Sequence, residues 1–436
     1  MSGSGLLEID KVSQAFPFPG GGMHTVLSGI DLSVSEGEIL GLLGRSGSGK
    51  STLLRIIAGL ARPVSGEVRY RGHPIIAPIS GIAMVFQSFA LFPWLTVLGN
   101  VEIGLEAKGV VPEERRRRAL EAIDLIGLDG FESAYPRELS GGMRQRVGLA
   151  RALVVEPSIL MLDESFSALD VLTAENLRTD LVELWSEGKL PISGIIMVTH
   201  SIEEAVSMCD RVVVLGSNPG RIVREIPIDL PRPRDRYSRR YQALVEEIYV
   251  EMTTRLATTG KTGGRRHAVR GIETVLPELS FAELSGMIEE IAAPPHDGRA
   301  DLPALADQYL LGTDDLFHVV DTMELFGFAV VEGGDIVLTS LGKKFADMEI
   351  DDRKAVVRQK LLDTLALAQL VRRVLDERRN HTAPWSRFAD ELEDVMPEND
   401  ALQTLTTLVD WGRFAELFAY DADRRKFSLD DPGADV

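Results

Sequence analysis

Residues Gly44 to Thr52 read GRSGSGKST, glycines followed by a lysine and two hydroxyls. That pattern suits phosphate. Gly44, Gly47 and Gly49 let backbone N–H groups turn inward beside Ser46, Lys50 supplies charge for the β and γ phosphates, and the Ser51 hydroxyl, followed by Thr52, suits Mg2+. Two carboxylates end the run SILMLDESF. Asp163 is placed to hold magnesium through water and Glu164 to polarise an attacking water, the alternative for both being solvated acids at a strand end. His200 closes GIIMVTH and Gln87 lies in IAMVFQSFALFPWLTV, each after a short apolar run. The histidine could contact a γ phosphate, and the glutamine could reach Mg2+ or the water. A second glycine-serine stretch, ELSGGMRQR at Glu138 to Arg146, has no lysine. Ser140 and the N–H groups of Gly141 and Gly142, at the start of the following helix, make an anion site whose cation must come from elsewhere.

These groups serve one reaction only if the elements carrying them end at one place. GEILGLLGRSGSGKSTLLRIIAGL reads as strand, loop and helix, and SILMLDESF and GIIMVTH read as two more strands. Their unbroken apolar character predicts a parallel sheet covered on both faces, and such sheets bind ligands at the carboxyl ends of their strands. Ser201 and Glu204 are spaced for a capping box at the next helix. The run RRRR at 115–118, after Glu113 and Glu114, reads as the solvated face of a helix that follows VPEE. Cys209, the single cysteine, can form no internal disulfide and is expected to be buried. At 436 residues, two or three domains are expected. There is no apolar run of about 18 residues and no secretory pattern, so the chain is expected to stay in the cytosol.

GRSGSGKST, the Gln87 loop, ELSGGMRQR, LMLDE, SALD at 167–170 and His200 stand in the order found in the ATP-binding cassette family, which residues 5 to 255 or so resemble. FPWLTVLGNV, DESFSALDVLTAENLR and GSNPGRI resemble the subgroup that powers uptake of nitrate, sulfonates, taurine or bicarbonate. The resemblance implies an α/β P-loop NTPase fold, with an ABC-type nucleotide-binding domain at 1–257 and a helical subdomain at about 88–156. It implies a homodimer around two ATP and two Mg2+, in which Ser140, Gly141 and Gly142 close over the partner's ATP. Lys50, Gln87, Glu164 and His200 would be catalytic; Ser51, Gln87 and Asp163 would hold the metal. Asp170 would communicate between the sites, and Phe16, in VSQAF, would stack on adenine. A separate membrane permease, and through it a periplasmic or extracellular solute-binding protein, are the implied partners, so the chain would sit peripherally on the cytoplasmic face. Two positions depart from the family's usual residues: Met143 replaces glutamine and Ser165 replaces proline, neither a catalytic group. The rival, a soluble non-transport ATPase of the same family, usually carries two cassettes or a long coiled coil; this chain shows one cassette and no sustained heptads.

Residues 258–272, with TTGKTGGRRHAVRG, read as a basic, glycine-rich linker. Beyond it the charge changes: from Glu273 onward there are 34 acidic and 16 basic residues, whereas residues 1–272 are nearly balanced, with 32 and 31. Within this acidic α+β part, helical periodicity up to Gly327 precedes two short strands around GGD, an order resembling a winged helix. The pattern recurs 85 residues on: Asp400, Leu402, Leu405, Leu408, Trp411 and Gly412 stand where Asp315, Phe317, Val320, Met323, Phe326 and Gly327 stood. Two winged-helix-like units, at about 285–350 and 365–430, are expected. A DNA-binding role is the alternative, disfavoured because so acidic a segment is repelled by phosphates; no nucleic acid partner is expected. The segment resembles the C-terminal AAA-associated domain appended to some anion-uptake ATPases, which implies regulation or dimerisation.

Overall fold

The computed structural model describes residues 5–17, 23–86, 89–167, 169–217, 219–259, 269–309 and 311–429. They fall into two compact units that divide between Ile248 and Tyr249, the described part of residues 16–24 being counted with the second. The first carries β1 (Leu7–Pro17), β2 (Met23–Val34), β3 (Glu38–Gly44), α1 (Lys50–Ile57), β4 (Ser65–Tyr70), β5 (His73–Pro74), β6 (Ile82–Val85), α2 (Val97–Ala107), α3 (Pro112–Leu125) and α4 (Gly141–Leu153). There follow β7 (Ile159–Asp163), α5 (Val171–Ser186), β8 (Gly194–Thr199), α6 (Ile202–Met208), β9 (Arg211–Gly216), β10 (Arg221–Pro227) and α7 (Arg239–Thr259), the last running across the division.

Six strands form one sheet in the order β10-β9-β3-β8-β7-β6, all parallel except the edge strand β10. Every residue of β8 is buried, as are Ile39 to Gly44 of β3, the unbroken burial that a parallel sheet covered on both faces requires. Register brings the strand ends together: Leu43 pairs with Thr199 and Asp163 with Val198. A second sheet, β2-β1-β4-β5, shares one buried cluster with the first through α1, where Leu53, Leu54 and Ile57 meet Ile9, Leu32 and Val68 on one side and Leu40, Met161 and Ile196 on the other.

The helices α2, α3 and α4 pack together through Val97, Val101, Leu105, Ala119, Ile123, Val147 and Ala150. Fully buried Asn100 ties the preceding loop to α2: Nδ2 donates to the carbonyls of Phe92, Leu95 and Thr96 at 3.0–3.1 Å, and Oδ1 accepts from Phe92 N at 2.8 Å. The arginine run lies on α3 as expected, Arg117 and Arg118 both donating to Glu114 at 2.7 Å, which draws the Glu114 carboxyl down to about 2. Cys209 is buried, and burial pushes its thiol up.

The second unit contains α8 (Phe281–Ala292), β11 (Arg299–Asp301), α9 (Leu302–Tyr309), α10 (Thr313–Phe326), β12 (Ala329–Glu332), β13 (Asp335–Leu338), α11 (Ser340–Ala346) and α12 (Ile350–Thr364), then α13 (Ala366–Glu377), β14 (Thr382–Pro384), α14 (Ser386–Glu393), α15 (Glu398–Phe414), β15 (Ala419–Asp421) and β16 (Lys426–Ser428). Helix, strand, two helices and a hairpin thus occur twice, and the sheets have the same order, β11-β13-β12 and β14-β16-β15. The third strand of each sheet, β11 and β14, was not visible in the sequence, since three residues are too few to show alternation. The repeat is also less regular than its sequence suggests. Gly327 caps α10 in the left-handed conformation at φ 72, whereas Gly412 lies inside α15, where a Cβ would come within 2.3 Å of the Phe418 ring. The repeats share one aromatic core: Phe281 stacks on Phe414 at 4.4 Å, Phe326 meets Trp411 edge-on at 5.3 Å, and Trp411 Nε1 donates to Leu279 O at 2.8 Å.

Candidate active site

The loop after β3 turns through two left-handed glycines, Gly47 at φ 76 and Gly49 at φ 91. Gly49 is the N-cap of α1 and offers no side chain to the helix's first N–H groups, while fully buried Ser48 Oγ has no hydrogen-bond partner among the described residues. A helix N-terminus without a side-chain cap is where an anion gains most. The Lys50 side chain is buried at 5% exposure and folds back onto the loop, its Nζ donating to Gly44 O at 2.5 Å and Arg45 O at 3.1 Å. Such a lysine is a charge held inside the cradle.

Ser51 Oγ donates to Asp163 Oδ1 at 3.3 Å, so the two oxygens predicted for a metal are neighbours. Burial foremost, and the adjacent Glu164 charge, raise the Asp163 pKa, a cost that a divalent cation would relieve. Among the described residues no three His, Cys, Asp or Glu side chains gather into a metal site. The hydroxyl and carboxylate oxygens of the Ser51–Asp163 pair are hard ligands that fit a cation taking its remaining oxygens from phosphate and water, as Mg2+ does.

Glu164 carries backbone strain. Its φ of 44 lies in the left-handed region, which costs a residue with a Cβ about 1–2 kcal/mol. Glu164 N donates to Val198 O at 3.0 Å, and its own carbonyl accepts from Ser167 Oγ at 2.8 Å and Ser167 N at 3.2 Å. The turn aims the carboxylate between Lys50 Nζ at 3.9 Å and His200 Nδ1 at 3.7 Å. His200 foremost, then the Lys50 charge, hold the Glu164 pKa below the usual carboxylate value against the opposing effect of burial. A carboxylate kept ionised beside a phosphate cradle is suited to accept a proton from water.

His200 follows β8, as expected, and Ser201 caps α6 by accepting from Glu204 N at 3.2 Å. The expected capping box does not close. Buried Glu204 instead bonds the Thr199 hydroxyl and pairs with Arg178 Nη1 at 3.2 Å, leaving Ser201 N to donate to Thr199 Oγ1 at 3.0 Å. Gln87 lies outside the described residues. Ser140 is the N-cap of α4 and accepts from Met143 N at 3.2 Å, a backbone role that the Met143 side chain does not disturb. Gly141 and Gly142 are the first two residues of α4. Asp170 caps α5 by accepting from Thr173 N at 3.0 Å, which lowers its pKa. Ser165 takes a role open to a hydroxyl, donating to Val85 O at 3.3 Å, while its carbonyl accepts from Gln145 on α4. Phe16 stands near the end of β1 with 44% of its surface exposed. Sequence reading missed Gln145, Asn100 and Arg151, whose polar side chains on helices carry no spacing signal until the loops they hold are in view.

A family model described as "ABC transporter" matches residues 27–167, and one described as "C-terminal AAA-associated domain" matches residues 303–421. An uncharacterised ABC transporter ATP-binding protein of Methanocaldococcus jannaschii is 47% identical over 232 residues, 53% of this chain and 85% of that one. The chain belongs to the ATP-binding cassette family. Among other relatives, a nitrate import ATP-binding protein of Synechocystis sp. is 46% identical over 225 residues, 52% of this chain and 83% of its own length. A taurine import ATP-binding protein of Sinorhizobium fredii is 46% identical over 223 residues, 51% and 82% of the two chains. The cassette is thus an ATP-binding ATPase unit, and Lys50, Ser51, Asp163, Glu164 and His200 are the side chains that the sheet brings together at its strand ends.

Proposed function

We propose that the chain is the ATP-hydrolysing subunit of an importer for a small anion of the nitrate, sulfonate or bicarbonate class. The convergence of Lys50, the Ser51–Asp163 pair, Glu164 and His200 at one edge of the parallel sheet carries the enzymatic part. The nitrate and taurine import ATP-binding proteins among the relatives support the solute class; in this reading a separate permease recruits the cassette to the cytoplasmic face of the membrane, with a solute-binding protein beyond it. No helix among the described residues is long and apolar enough to cross a membrane.

In this reading Gly44, Ser46, Gly47, Gly49, Lys50 and Thr52 cradle the phosphates, and Phe16 stacks on the adenine. When bound, Mg2+ neutralises phosphate charge and is held by Ser51, Gln87 and Asp163. Glu164 takes the proton of the attacking water, and His200 steadies both that carboxylate and the γ phosphate. Ser140, Gly141 and Gly142 of a second copy complete the anion site, and Asp170 reports the state of one site to the other. Glu164→Gln keeps the shape and removes the base, so phosphate release should fall by at least about 10²-fold, with MgATP now accumulating a dimer on size exclusion. A variant that turns over ATP at the parent rate would assign the base elsewhere.

The cassette in this proposal spans 1–257, the linker 258–272 and an accessory domain 273–436, whose tandem repeats regulate closure or pair with a second copy. Its acidic balance favours that role over contact with nucleic acid. Deleting residues 273–436 should change ATP turnover or the concentration at which dimers form, measured side by side with the full chain. Identical curves would reduce the domain to a bystander.

A further inference from the structure

Immediately beyond Gln87 and Ser88 the chain enters a turn in which Phe89 and Ala90, at φ 60 and φ 45, are both left-handed. Two successive residues with a Cβ seldom adopt that conformation. Phe89 N donates to Phe86 O at 3.0 Å, and both strained carbonyls are gripped from outside. Arg151, in the last turn of α4, donates Nη1 to Ala90 O at 2.6 Å and Nη2 to Phe89 O at 2.7 Å. A guanidinium presents two donors in one plane, which matches two successive carbonyls; a lysine has one compact head and cannot span them. Gly148, one turn earlier on α4, lies close enough that a Cβ there would stand 3.7 Å from Phe89 O. Farther along the segment, Asn100 takes over the grip from Phe92 to Thr96.

The opposite end of α4 carries Ser140, which reads the nucleotide of the partner copy in the proposed function. We infer that Arg151 is a positioning residue that locks the turn after Gln87 to this helix, so that the group closing one nucleotide site and the glutamine serving the other move as one body. The inference rests on the reading of Gln87 as a ligand of Mg2+ and of Ser140 as an anion reader. It assigns the coupling to a side chain that touches neither nucleotide.

The test uses the full chain as wild type, Arg151→Gln, Arg151→Lys, Gln87→Ala and the double variant of Arg151→Gln with Gln87→Ala, with three readouts. These are the Mg2+ concentration giving half-maximal hydrolysis, the affinity for ATP in EDTA, and hydrogen exchange of a peptide covering 86–96 without nucleotide. Arg151→Gln should raise the half-saturating Mg2+ about tenfold, as losing the support of a metal ligand commonly does, and so should Gln87→Ala, with the double variant no worse than either. Affinity in EDTA should stay within about twofold, because the phosphate loop is untouched. Exchange across 86–96 should quicken while peptides inside α4 keep their protection, and Arg151→Lys should recover part of both effects. If Arg151→Gln leaves Mg2+ dependence and exchange at parent values while Gln87→Ala shifts the former, the coupling through Arg151 is wrong. If Gln87→Ala shifts nothing, the ligand reading of Gln87 fails first, and exchange alone then decides whether Arg151 holds the turn.

Discussion

In the proposed function the N-termini of α1 and α4 both meet an anion, and their caps differ. At α1 the cap is a left-handed glycine with no side chain to offer, and a buried lysine lies folded against the loop's own carbonyls. At α4 the cap is Ser140 in extended conformation, its oxygen already accepting from Met143 N; the stretch has no lysine, and its Arg144 guanidinium is bonded to Leu139 O at 2.8 Å. The first loop, the phosphate receptor in that proposal, carries its own lysine, bonded to the loop's own carbonyls, beside a helix N-terminus. The second has committed its hydroxyl as an acceptor and offers the hydroxyl proton and helix amides without a lysine. A site of that kind can recognise a phosphate held elsewhere but has little with which to capture one.

The largest test of this asymmetry separates the loops into different chains. Lys50→Ala homodimers should lack both receptors, and Gly142→Val homodimers both readers, each losing at least about 10²-fold in turnover as when a transition-state donor is removed. Mixed, they form dimers with one intact composite site, so phosphate release should rise about tenfold above that of either variant alone. A mixture no better than its components would mean that each chain's two loops serve the same nucleotide.

A smaller effect distinguishes the two glycines of the reader. A Cβ on Gly142 would lie 2.3 Å from Thr173 Cγ2 at the start of α5, whereas one on Gly141 would lie 3.5 Å from Leu169 Cδ2, an ordinary contact. Gly142→Ala should therefore cost about 1–3 kcal/mol of stability, and Gly141→Ala should fall within about 0.5 kcal/mol of the parent. Denaturant melts would check both. Equal costs would mean that the close approach of α4 to α5 does not constrain the loop.

The smallest effect is a pH dependence confined to the receptor. Glu164 has a depressed pKa, so its stabilising contribution is present above the unfolded value of 4.5 and is lost as pH falls through the lower folded value. Asp163 has a raised pKa, so its contribution has the opposite sign: present below the unfolded value of 3.8 and lost as pH rises through the folded one. At pH 7 without metal, Asp163→Asn should stabilise and Glu164→Gln destabilise, and at pH 3 both differences should shrink. Urea melts at the two pH values read this directly, and two shifts of the same sign would contradict the environments described for the pair.

The receptor was legible in the sequence because its parts are local: a glycine-rich loop between a strand and a helix, and acids at the end of an apolar run. The parallel sheet followed from the same runs, as β3, β7 and β8 show. What stayed hidden depends on groups far apart in the chain. The strain at Glu164 requires Val198 and Ser167 to hold it, and Glu204 abandons the capping box only because Arg178 lies opposite in the fold. In the acidic unit the repeat was readable from its apolar spacing, but Gly412 broke the analogy, because Phe418 packs where Gly327 has a helix end. A repeated pattern fixes which residues face inward and leaves open where each helix stops.

The stacking of Phe281 on Phe414 and the Trp411 indole bonded to Leu279 bear on how the acidic unit can be dissected. Two copies of one ancestral module that merely sat in tandem would each keep a private interior, and either could be lost, exchanged or expressed alone. Here each repeat supplies part of the other's interior, so neither is complete alone. A chain cut between the repeats would spill apolar rings into solvent and create a target for proteolysis.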